Sequence, residues 1–93
     1  MAIEEKLTDF LNQIDRKREF TDYTMTELQK IAEKSIKLIS EMNPKSKSLV
    51  ELKKAIDLSN KYHKDKEYKS VDNIMDVLRA TKFGIEEFIE SEL

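Results

Sequence analysis

Cysteine is absent from this 93-residue sequence, which excludes disulfide bridges and thiolate metal sites. Glycine and proline occur once each, and tryptophan does not occur. A multi-stranded sheet needs a turn roughly every 8–12 residues, and so little turn chemistry cannot supply it. A single glycine also rules out a Gly-rich loop cradling phosphates. No run approaches about 18 consecutive apolar residues. The first twenty residues carry five acids, so neither a membrane span nor a secretory leader is expected and the expected location is cytoplasmic.

Catalytic chemistry is equally scarce. The only histidine, His63, stands among Lys61, Lys64 and Lys66, with no carboxylate placed to orient it as a base. A di-metal carboxylate bundle needs Glu-x-x-His pairs on facing helices, and none exists. We therefore expect no enzyme activity, no metal and no cofactor.

Charged and hydrophobic residues each make up 39% of the chain, the balance of a helical bundle rather than of a disordered segment. A chain of this length suits one domain with a thin core, to which self-association could add. The net charge of −2 conceals an uneven distribution. Residues 44–69 hold eight lysines against four acids, and residues 70–93 hold two basic against six acidic side chains. Two neighbouring helices of opposite charge could complement each other or face water, or the basic middle could meet a phosphate-bearing ligand.

The apolar period predicts four helices in a small antiparallel bundle. Ile3, Leu7, Phe10, Leu11 and Ile14 form the stripe of a first helix over 3–18. The stretch 19–23 reads as a connector. Thr24-x-x-Glu27 has the form of a capping box opening a second helix. Its inner face is Leu28, Ile31, Ala32, Ser35, Leu38, Ile39 and Met42, with Met25 and Ile36 on the flanks. Asn43-Pro44 ends it, because a residue before proline avoids helical geometry. Ser48-x-x-Glu51 has the form of a second capping box, and Leu49, Leu52, Ala55, Ile56 and Ser59 run inward to about Tyr62. The short connection makes 24–62 a helical hairpin. A polar loop over 63–69 leads to a last helix capped by Ser70. Its face of Ile74, Val77, Leu78, Thr81, Ile85, Phe88 and Ile89 continues through Gly84, which predicts one helix with a weak point there.

Two binding chemistries stand out. Ser46-Lys47-Ser48, flanked by Lys45, sets hydroxyls and cations beside helix N-terminal amides, the ingredients of an anion site, although ordinary capping would also explain the hydroxyls. The third helix carries Lys53, Lys54, Asn60 and Lys61 outward, but an overall acidic chain does not suit DNA recognition.

Residues 20–60 resemble the helical hairpin of small phage proteins that sequester cyclic nucleotides made by CBASS immunity, with a related hairpin in an anti-Thoeris sponge. The likeness lies in the lead-in Phe20-Thr-Asp-Tyr23-Thr24, in Leu38-Ile39-Ser-Glu-Met42-Asn-Pro44 followed by Ser46-Lys47, and in Leu52-x-x-Ala55 with Asn60. The resemblance implies a homo-oligomer in the host cytoplasm that holds a cyclic nucleotide without cleaving it. The residues expected to hold the nucleotide are Phe20, Tyr23, Lys45, Ser46, Lys47, Ser48, Lys54 and Asn60. The alternative is a small helical immunity or inhibitor protein that binds a protein partner through Glu86, Glu87, Glu90 and Glu92.

Overall fold

The computed structural model describes residues 2–16 and 25–93, and these form four helices. They are α1 (Ala2–Arg16), α2 (Met25–Met42), α3 (Ser48–Lys64) and α4 (Val71–Glu92). The all-α bundle expected from the apolar period is what the chain adopts. The expected end of the first helix beyond Arg16, the connector and the Thr24 cap lie outside the described residues.

Helices α2 and α4 pack on each other across the middle of the bundle, with α3 in contact with both. Helix α1 packs on α2 and α4, and among the described residues its backbone stays clear of that of α3. The Cα atoms span 37 × 26 × 16 Å. The short dimension is two helix layers, since packed axes lie about 8–10 Å apart and each Cα cylinder has a radius of about 2.3 Å.

The core falls into two clusters. One gathers Met25, Leu28, Ala32, Ala55, Tyr62, Ile74, Val77 and Ala80. The other gathers Leu7, Ile14, Ile31, Ile39, Leu49, Leu52, Ile85 and Phe88, and Leu78 packs against both. A fully buried Leu or Phe contributes roughly 1.5–3 kcal/mol, so Leu52 and Phe88 anchor the second cluster.

The stripe of α2 is rotated slightly from the expected one. Met25, assigned to a flank, is buried, while Leu38 is half-buried and Met42 is 43% exposed. Met25 packs in the cluster with Ala55, Tyr62, Ile74 and Val77, which draws the first turn of α2 inward. Ile56 is likewise only half-buried. Phe88, on the expected inner face of the last helix, is fully enclosed.

Gly84 does not interrupt α4. A Cβ placed there would lie 2.8 Å from Leu52 Cγ and 3.3 Å from the Ser48 carbonyl oxygen. The glycine is needed for close approach of α4 to α3, and the expected weak point is a contact point. Gly84→Ala would gain about 1 kcal/mol of helix propensity but overpack against the branch atom of a fully buried leucine, at about 1–3 kcal/mol. We expect a net loss on the order of 1 kcal/mol by denaturant titration; a more stable variant would mean the crossing can open without penalty.

At the other end of the same helix pair, the Tyr62 hydroxyl donates to Asp76 Oδ2 at 3.0 Å. Burial, then the hydrogen bond and the negative charge of Asp76, raise the Tyr62 pKa above its usual value. The neutral phenol is favoured in the folded chain, so this stabilisation is complete below the unfolded tyrosine pKa of about 10 and is lost as pH rises through the folded value. Tyr62→Phe should cost roughly 0.5–1.5 kcal/mol at neutral pH and flatten the fall in stability above about pH 10, which urea titrations across that range would read.

Candidate functional site: the 43–48 turn and the end of the last helix

The turn between α2 and α3 is built by its own side chains. The Asn43 amide N–H donates to the Ile39 carbonyl at 2.7 Å, closing α2, and Asn43 Oδ1 accepts from the Lys45 N–H at 3.1 Å. Asn, a frequent turn former, thus bends the chain around Pro44. The Ser46 N–H donates to the Asn43 carbonyl at 3.1 Å.

Helix α3 then starts without the expected capping box. Ser48 is already inside the helix, makes no side-chain cap hydrogen bond and is fully buried, and its hydroxyl oxygen has no hydrogen-bond partner. Ser46 does the capping instead. Its Oγ accepts from the Ser48 N–H at 3.2 Å and its carbonyl accepts from the Leu49 N–H at 3.2 Å, while the Val50 N–H donates to the Lys47 carbonyl at 3.1 Å. The amides expected to face an anion are therefore turned into the turn itself.

An oxyanion is nevertheless bound here, and the chain supplies it. The Ser46 hydroxyl donates to Glu92 Oε2 and the Asn43 side-chain amide donates to Glu92 Oε1 at 2.6 Å. Both oxygens of one carboxylate are thus held by two donors of the turn. Lys45 and Lys47 flank Ser46 in the chain, both exposed. Sequence reasoning missed Asn43 and Glu92: Asn43 was read only as a helix stop and Glu92 only as part of an acidic surface. The Asn-Pro-x-Ser pattern was a legible signal for Asn43, but nothing local linked Glu92 to a residue 46 positions away.

The remaining expected residues are dispersed. Asn60 lies twelve residues along α3 from Ser48, about 18 Å away at 1.5 Å per residue. Its Oδ1 accepts from Gln29 Nε2 at 3.2 Å, and Ser59 donates to Gln29 Oε1 at 2.8 Å, so this trio ties α2 to α3. Lys54 lies on the outer α3–α4 face, in a groove of about 330 Å³ with Glu51, Leu58, Asp76, Arg79, Ala80 and Phe83. Phe20 and Tyr23 fall outside the described residues. A second groove of about 290 Å³, between α1 and α4, is lined by Leu11, Lys82, Glu86, Ile89 and Glu90. His63 stacks on Tyr68 with ring centroids 5.0 Å apart, at the far end of α3 from the turn.

Among the described residues, no group of three His, Cys, Asp or Glu side chains could hold a metal ion, and no helix is long and apolar enough to cross a membrane. No protein-family model, curated protein or solved structure matches this chain.

The carboxylate clasp generates its own test. Glu92→Ala removes an exposed, charge-assisted tie at the end of α4, where such contacts contribute up to about 1 kcal/mol. Global stability should fall by no more than that, while amide exchange at residues 89–93 should accelerate clearly. Unchanged exchange there would mean the clasp does not hold the helix end.

Proposed function

We propose that this chain is a phage-type anti-defence protein that sequesters a cyclic nucleotide signal without cleaving it, with a phosphate of the ligand received at the 43–48 turn. The observation that supports this reading is the pair of hydrogen bonds from Ser46 and Asn43 to the Glu92 carboxylate. A carboxylate and one edge of a phosphodiester present the same pair of anionic oxygens, so donors that hold one suit the other. Lys45 and Lys47 add the positive charge that a phosphate, but not a neutral ligand, would use. A sequestering protein needs tight, charge-assisted contacts and no group that activates water.

In this reading Glu92 is the internal occupant that the ligand displaces. Lys54 and Asn60 are not part of the phosphate contact, because they lie on another face and at the other end of α3. The second reading, an inhibitor that engages a protein partner through acidic α4, draws on Glu86 and Glu90, which rim the groove over Leu11 and Ile89.

Calorimetry with cyclic di- and trinucleotides separates the two. Lys47→Ala should weaken binding at least tenfold, since a charge-assisted hydrogen bond contributes about 1.5–3 kcal/mol. Glu92→Ala should tighten it, because the competitor is gone. The ligand recovered by chromatography should be chemically intact. Absence of heat with every cyclic nucleotide, in wild type and Glu92→Ala alike, would transfer the assignment to the protein-inhibitor reading.

A further inference from the structure

Phe83 and Phe88 stand five residues apart on α4, about 140° around the helix, and only Phe88 is enclosed. Phe83 is 57% exposed. It belongs to a second stripe of α4, Asp76, Arg79, Ala80 and Phe83, at the spacing that puts side chains on one helix face. Helix α3 offers the matching stripe Glu51, Lys54 and Leu58. Between the two stripes lies the groove of about 330 Å³, and among the described residues α3 and α4 alone line it.

The register of the two helices orders the charges along this groove. Gly84 sits against Ser48 and Leu52, and the Tyr62 hydroxyl reaches Asp76, so the helices run antiparallel. From the level of Leu52 to that of Tyr62 is ten residues of α3, about 15 Å. Glu51 therefore stands at the Phe83 end and Asp76 at the opposite end. Lys54 and Arg79 fall between them, one on each wall, with the buried Ala80 at the same level. Along the groove the signs run negative, twice positive, negative.

That order selects the occupant. A second copy laid along the groove would set the same palindrome against itself, like charge on like at every level. A small anion would use the two cations and leave both carboxylates, and the length of the groove, unmatched. A helix of another protein matches all three levels when acids occupy its middle turn and bases its two end turns. Its apolar stripe then lies over Phe83, Ala80 and Leu58, the way an amphipathic helix fills a hydrophobic groove.

We propose that the α3–α4 groove docks an amphipathic helix of a partner protein, acidic in its middle turn and basic at both ends. This face is neither the 43–48 turn nor the groove over Leu11 and Ile89. Docking here does not rest on the nucleotide reading.

Fluorescence anisotropy with two labelled helical peptides of about 14 residues, or about 21 Å of helix, tests it on the full chain. Both peptides carry leucine at every third or fourth position. One has two glutamates in its middle turn and a lysine in each end turn, and the other exchanges the lysines and glutamates. The wild type should bind the first at least tenfold more tightly than the second. Lys54→Glu with Arg79→Glu, both at exposed positions, should reverse that preference. Phe83→Ser should weaken the first peptide at least tenfold with the helical circular dichroism unchanged. Equal binding of the two peptides by the wild type, or binding of neither, overturns the proposal. So does a double variant that keeps the wild-type preference, or a folded Phe83→Ser that binds as the wild type does. Displacement of the first peptide by equimolar phenylpropionate would assign the groove to a small anion and overturn it as well. A wild-type mass of twice 11.0 kDa that the double variant halves would do the same, since a second copy would then fill the groove. Nucleotide calorimetry reads the 43–48 turn and succeeds or fails separately.

Discussion

The approach of α4 to α3 at Gly84 is the constraint on which the other features depend. With only a hydrogen where other residues carry Cβ, α4 can come down onto Leu52 and the Ser48 backbone. That contact sets the register of the pair. One direction along α4 leads eight residues, about 12 Å, to Glu92, which meets the 43–48 turn. The opposite direction leads to Asp76, which meets the Tyr62 hydroxyl. A slip of one residue would rotate α4 by about 100° and unmake both polar ties, along with the seating of Phe88 and Ile85 in the core.

Close packing also explains why the interior contains so many small hydroxyl residues. Ser35, Ser48, Ser59 and Thr81 are all fully buried. Ser35 and Thr81 each return their hydroxyl proton to the carbonyl four residues back, Ile31 and Val77, at 2.8 Å, so they fill the space of a small apolar residue without an unmet donor. Ser59 uses Gln29 instead. Ser48 is the exception: it sits where α3 is pressed against Gly84, with its carbonyl in the crossing and its hydroxyl oxygen unpartnered. An unmet buried hydroxyl costs about 1–3 kcal/mol, and here it accompanies the burial of Leu49 and Leu52 on the same turn.

The fold was legible because it rests on local rules. The 3.6-residue period located every described helix, Pro44 ended α2, and the scarcity of glycine excluded sheet. What misled was chemistry that depends on a distant partner. Ser48-x-x-Glu51 has the form of a capping box, but the box requires Ser48 to stand outside the helix, and the pull of the core on Leu49 and Leu52 draws it in. Gly84 looked like a weak point, since sequence shows its missing side chain and not the leucine that fills the space. The candidate site was legible only in part for the same reason. Ser46 and the lysines beside it were visible as anion-binding chemistry, while the carboxylate they meet came from the other end of the chain. Asn60, placed with them by the likeness to a hairpin, belongs to the tie between α2 and α3.

The presence of Glu92 in the turn bears directly on what kind of ligand the proposed function can accommodate. A tethered competitor acts at an effective concentration in the millimolar range. A free monovalent anion, offering the same two oxygens and nothing more, would have to exceed that concentration to displace it. A ligand that succeeds at lower concentration must bring contacts that Glu92 cannot make. Under the proposed function Lys45 and Lys47 would supply such contacts, each a charge-assisted hydrogen bond to a second phosphate of the same ligand. In the same reading the clasp would act as a filter as well as a helix tie. Its threshold would favour ligands in which several phosphates are held in one rigid frame, where a second contact follows the first without further loss of freedom.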